Sequence, residues 1–119
     1  MVFREKSIMQ NKVRKRGDSY TISGQLELGG VIINLTGWTL FYTLKENLKD
    51  SDDNAKLSKA GTIGDDDTKI SILIAHDDTE NLLGDYYYDR QYVGPNGHPV
   101  ITFSGMIKFE ADVTQRVIA

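Results

Sequence analysis

The sequence predicts an all-β protein: an antiparallel β-sandwich of about seven short strands, entered through an extended N-terminal arm. Three observations predict it. Apolar and polar residues alternate with a period of two in at least four segments, hydrophobic repeats of helical period are hard to find, and turn residues recur about every eight to twelve positions. With 119 residues, 39% hydrophobic and 26% charged, the chain has the composition of one globular domain whose core needs no metal or disulfide staple. Cysteine is absent, which excludes disulfides, thiolate catalysis and thiolate metal sites. The longest strongly apolar run, Val31 to Leu35, contains Asn34 and is too short to cross a bilayer, and no apolar leader follows the charged Arg4-Glu5-Lys6, so no membrane or secretory segment is expected.

The arm is residues 1–16 and the sandwich residues 17–119. The net charge of -3 conceals a division between them. The arm holds six cations against Glu5 alone, while the remaining 103 residues hold 8 cations and 16 carboxylates. A basic arm on an acidic body suits either nucleic acid or docking on a neighbouring subunit. Docking fits better, because the cations are interleaved with Val2, Phe3, Ile8, Met9 and Val13, too apolar a pattern for a nucleic-acid tail. Val2, Phe3, Ile8 and Met9 are therefore the expected apolar anchors for a partner, and Arg14, Lys15 and Arg16 the expected contacts to its acidic loops.

The first body strand spans Tyr20 to Leu28, with Tyr20, Ile22, Leu26 and Leu28 inward and Thr21, Ser23, Gln25 and Glu27 outward. Gly24 falls on the inward face, which implies a bulge or the close approach of a large side chain, for which Trp38 is the candidate. Gly29-Gly30 turns the chain. A second strand over about 38–46 turns Trp38, Leu40, Tyr42 and Leu44 inward and leaves Phe41 on the other face, as rim packing or part of a contact surface. After the polar loop 47–54, Ala55–Ala60 and Lys69–Ala75 are expected to form a hairpin around the turn residues Gly64 to Asp67. A strand follows from about Tyr86 to Val93, then the tight connection Gly94-Pro95-Asn96-Gly97. The last strand, Val100 to Val113, turns Ile101, Phe103, Ile107 and Phe109 inward and is long enough to call for a bend at Gly105.

Seven strands with one Trp near the start of a central strand are the requirements of an immunoglobulin-like sandwich. Tyr86, two residues after Gly84, suits the tyrosine whose hydroxyl turns back across the corner before the sixth strand. Tyr88 occupies the place of the second cysteine in antibody domains, so ring and aliphatic packing must replace the disulfide. The expected structural core accordingly includes Trp38, Leu40, Tyr86, Tyr88 and Phe109.

Chemistry is sparse. No nucleophile lies near a histidine in sequence, and both histidines, His76 and His98, sit beside turns. The carboxylates cluster in loops at Asp50, Asp52 and Asp53, at Asp65 to Asp67, and at Asp77 and Asp78, where water keeps them ionised. Asp50, Asp52 and Asn54 match the opening of a calcium loop, but Ala55 stands where it needs Gly and Gly61 where it needs Glu. Arg16-Gly17-Asp18 reads as a turn into the first body strand rather than an adhesion motif. No catalytic residue, metal or cofactor is expected, and the chain is read as a non-enzyme. A carbohydrate- or cell-surface-binding module, stacking sugars on Trp38, Phe41, Tyr87 and Tyr92, is the alternative.

The series R-G-D-S-Y at 16–20, I-N-L-T-G-W-T-L at 33–40, D-D-T-x-N-L-L-G-D-Y-Y-Y-D at 77–89, G-P-N-G at 94–97 and F-S-G-M-I-K-F-E-A-D-V-T at 103–114 spans nearly the whole domain. In order and spacing it resembles the small immunoglobulin-like domains of tailed-bacteriophage virion proteins, a group that includes the N-terminal domain of baseplate upper proteins. The resemblance implies a structural virion component of the tail, baseplate or an adaptor, present in the host cytoplasm before assembly and then in the virion. Its implied partners are other virion proteins and symmetric copies of itself; the residue pattern adds that they join through the arm and edge strands, with no membrane and with docking favoured over nucleic acid. The chain departs from the baseplate pattern by ending at Ala119 without a following coiled coil, so a plug or capsid decoration role stands beside the baseplate one.

Overall fold

The computed structural model describes residues 2–5, 13–15, 17, 19–47, 55–63 and 66–110, with the backbone alone at 13–15 and 62. Among them are ten strands: β1 (Phe3–Glu5), β2 (Val13–Lys15), β3 (Tyr20–Gly24), β4 (Leu26–Leu28), β5 (Val31–Ile32), β6 (Thr39–Lys45), β7 (Leu57–Thr62), β8 (Ile70–Ile74), β9 (Gly84–Val93) and β10 (Val100–Glu110). One helical turn, α1 (His76–Thr79), joins β8 to β9. Five strands form one layer in the order β2-β10-β9-β6-β7, antiparallel except where β2 runs parallel to β10. Opposite lie the sheets β1-β4-β5 and β3-β8, linked because β3 and β4 continue one another through Gln25. The fold is an antiparallel β-sandwich.

Alternation builds the interface between the layers. Leu40, Tyr42 and Leu44 of β6, Tyr86, Tyr88 and Tyr92 of β9, and Ile107 and Phe109 of β10 are buried against Tyr20, Ile22, Leu26, Ile70, Ile72 and Ile74 from the other layer. Trp38 is buried just before β6, and the ring set against its edge is Phe3, 6.2 Å away. Tyr88 lies 6.2 Å from Tyr42, and Tyr86 meets Phe109 edge-on at 5.8 Å. Edge-to-face and offset ring pairs of this kind add about 0.5–1.5 kcal/mol each beyond their buried area. The hydroxyl of Tyr86 turns back to accept the N–H of Leu83 at 3.2 Å, and the hydroxyls of Tyr20 and Tyr42 meet at 3.3 Å.

Several expectations need correcting. The segment Tyr20–Leu28 is two strands pairing with different partners, β8 and β1/β5, because the chain passes from one small sheet to the next at Gln25. The ring that requires glycine at position 24 belongs to Tyr92 rather than Trp38: a Cβ there would overlap the Tyr92 hydroxyl. Residues 55–60 and 69–75 do not make a hairpin. β7 pairs with β6 and β8 with β3, with a bridge between Ile63 and Ile70, since crossing to the opposite layer lets Ile70, Ile72 and Ile74 face β6. At Gly105, where a bend is expected, the β9–β10 ladder keeps its register, and the glycine leaves room for the Tyr88 ring lying over it.

The largest correction concerns the arm. Where residues 1–16 are described they belong to the sandwich, with β1 paired to β4 and β2 to β10. The expectation of a separate arm thus fails for its described residues, and the boundary at residue 16 lies outside them. Phe3 and Glu5 alternate inward while Arg4 points out, so the segment is a body strand despite its charge.

Candidate functional site

Two features stand out on this scaffold: a slot that holds β1, and the outward face of the five-stranded sheet. The slot begins with the register of β1 on β4, which sets Phe3 opposite Leu28, Arg4 opposite Glu27 and Glu5 opposite Leu26. Phe3 packs on Trp38, and Glu5 enters the space between the layers. One of its carboxylate oxygens accepts the Tyr92 hydroxyl proton at 2.6 Å, and the other meets Arg90 Nη2 at 2.9 Å. Arg90 is only 8% exposed, and its guanidinium lies 5.1 Å from the centre of the Tyr88 ring. Removing charge from water is costly, so a buried guanidinium demands this combination of carboxylate and ring face.

Burial dominates the proton affinities here. It pushes the Glu5 carboxyl above the ordinary 4.5, while the Tyr92 hydrogen bond and the Arg90 charge pull back. It also drives the Tyr92 hydroxyl far above its usual range, and the neighbouring Glu5 charge adds to the effect. Tyr92 is thus a fixed proton donor to Glu5.

The outward face of the large sheet follows from the same alternation. Cross-strand rows place Thr39, Val93 and Val100 side by side, then Ala60, Phe41, Gln91 and Thr102, then Ser58, Thr43, Asp89 and Ser104, then Lys45, Tyr87 and Met106. Phe41 is 37% exposed, Val100 52% and Met106 46%. The central charge is neutralised within the face, since Asp89 accepts the Ser104 hydroxyl proton at 2.5 Å and lies 4.0 Å from Lys45 Nζ.

The expected partner contacts separate. Val2 is exposed, Phe3 is half-buried on Trp38, and Ile8, Met9 and Arg16 lie outside the described residues, as do the side chains of Arg14 and Lys15 on β2. Trp38, Leu40, Tyr86, Tyr88 and Phe109 are all buried in the core. Burial of Trp38 and Tyr92 removes two of the four rings on which sugar stacking rested. Of the loop carboxylates, Asp50, Asp52, Asp53, Asn54 and Asp65 lie outside the described residues. Asp78 accepts the Ala75 N–H at 2.8 Å and pairs with Lys59 at 3.0 Å, which fixes the start of α1 and holds its carboxyl below the ordinary 3.8. His76, Asp77 and Glu80 can bring ligand atoms within 4.8 Å of one another, but all are exposed and His76 Nδ1 already donates to Gly17 O at 2.6 Å.

The Glu5–Arg90 pair was not anticipated. Its signal was present: Arg90 shares the parity of Tyr86, Tyr88 and Tyr92 on a strand with one buried face, and Glu5 is the lone carboxylate among the first 16 residues. No protein-family model matches the chain, and a search of curated proteins finds no match to it.

Proposed function

We propose that this chain is a non-enzymatic structural module of a bacteriophage virion, a tail, baseplate or adaptor component that assembles in copies of itself. The observation that carries the reading is the outward face of the five-stranded sheet, with Phe41, Ala60, Val100 and Met106 exposed around a charge pair satisfied within the face. A second copy is the occupant the area favours. β9 and β10, ten and eleven residues long, give a length of about 34 Å, and five strands a width of about 20 Å. Allowing for the shorter strands, that is on the order of 600 Å² in projection, close to the roughly 800 Å² of accessible surface each partner gives to a standard interface.

The strand order supports the immunoglobulin-like part of the reading. Taking β3/β4, β6, β7, β8, β9 and β10 as strands B, C, C′, E, F and G puts C, F and G in one sheet, with C′ added at its edge, and B and E in the other. The motif series quoted above supplies the virion setting. Light scattering of the full chain tests assembly: the expected result is an oligomer that dissociates when Phe41→Asp and Met106→Glu are combined. A wild-type chain that stays monomeric at high concentration, alone and with candidate virion proteins, would overturn it.

A further inference from the structure

We infer that the slot formed by β4, Trp38, Arg90 and Tyr92 is a strand-acceptor site, and that in the assembled protein it takes Phe3-Arg4-Glu5 from a second copy of this chain. The inference rests on the assembly reading and names the element that is exchanged. The slot reads its occupant at three levels. The β4 backbone accepts an extended segment in antiparallel register, Trp38 takes an aromatic ring at one position, and Arg90 with Tyr92 takes a carboxylate two residues on. Spacing by two is what an extended strand provides, and the intervening Arg4 is exposed opposite Glu27. Gly24 completes the site, because any side chain there would displace the Tyr92 hydroxyl that fixes the carboxylate.

The slot also has to be filled. Withdrawing β1 takes the Glu5 carboxylate from a guanidinium that is 8% exposed and uncovers Trp38. An intruding copy restores each of these contacts, since its Phe3 and Glu5 are chemically the same groups. The contacts within the slot are the same in the two arrangements, so the concentration of neighbours decides between them and assembly tips the balance. A copy offers the slot the same charge contrast as the chain's own β1: the first 16 residues carry six cations and one carboxylate, the rest of the chain twice as many carboxylates as cations.

Arg4 and Glu27 face one another across β1 and β4, and the chain has no cysteine, so exchange can be trapped covalently. Full-length Arg4→Cys and Glu27→Cys chains are refolded together and oxidised mildly, with the double variant in one chain as the control for intrachain closure. The expected result is a mixed disulfide dimer that is lost when Phe3→Ala and Glu5→Ala are added to the Arg4→Cys chain, and that excess wild-type chain suppresses. If light scattering shows an oligomer and the double variant closes within its own chain, but no mixed dimer forms, the exchange is wrong and the assembly reading stands. A mixed dimer indifferent to Phe3→Ala/Glu5→Ala is a collision product and likewise overturns the exchange. A chain that is monomeric throughout removes both.

Discussion

A guanidinium inside a β-sandwich is stable only in company, and at Arg90 that company is Glu5 at 2.9 Å and the Tyr88 ring. Deleting one member of a buried pair strands the other, at about 3–5 kcal/mol, whereas replacing both with apolar side chains is often neutral or better. Arg90→Met is therefore expected to destabilise the fold by that amount, and Glu5→Leu/Arg90→Met to recover most of it, measured by urea unfolding. The pH dependence has a definite sign. Burial raises the Glu5 carboxyl above 4.5, so the folded protein binds that proton more readily than the unfolded chain, and stability falls as pH rises from 4.5 through the folded value. Without Arg90 the carboxyl rises further. The gap between Arg90→Met and wild type should then narrow at acid pH and widen toward neutrality. Asp78 has the opposite sign: its carboxyl is lowered by the Ala75 N–H and by Lys59, so its contribution is present above 3.8 and disappears as pH falls through the folded value. Asp78→Ala should cost about 1 kcal/mol at neutral pH and progressively less in acid.

Among the elements, the β9–β10 ladder shows how one position governs another. Gly105 sits opposite Tyr88, and a Cβ at 105 would press on that ring. Gly105→Ala is expected to cost about 1–3 kcal/mol by overpacking, and adding Tyr88→Leu should reduce the increment, a coupling that a double-mutant cycle reads directly. The parity of such strands was legible in the sequence. Ile101, Phe103, Ile107 and Phe109 face inward, as do Leu40, Tyr42 and Leu44, because period-two alternation is a local property. Pairing is not local. Asp66 and the residues around it announce a turn without saying which layer the chain enters next, so β8 was expected beside β7 and lies beside β3. The lead-in misled for a related reason: six cations describe its average character, while its structure is decided by Phe3 and Glu5, whose partners Trp38 and Arg90 lie far along the chain. The slot was hidden because it is made of pairs separated by as many as 87 positions.

For the whole molecule, the proposed face-to-face assembly has a thermodynamic signature separate from any image of the complex. Association that needs the folded state stabilises that state by mass action, so the melting temperature must depend on protein concentration. For a dimer each tenfold increase adds about 0.7 kcal/mol per chain, which for a domain of this size raises Tm by about 2–3 °C. Combining Phe41→Asp with Met106→Glu puts carboxylates into the middle and one end of the face, on side chains already exposed in the isolated chain. Their cost to the monomer does not depend on concentration, and their cost to a covered interface is large because like charges meet across it. Wild-type Tm should climb with concentration and that of the double variant should stay flat. Salt discriminates further. An interface whose Asp89 is paired internally with Lys45 and Ser104 keeps its concentration dependence as ionic strength rises, whereas docking driven by the basic lead-in against the acidic body loses it within a few hundred millimolar, as screening shortens the Debye length to about 3–8 Å.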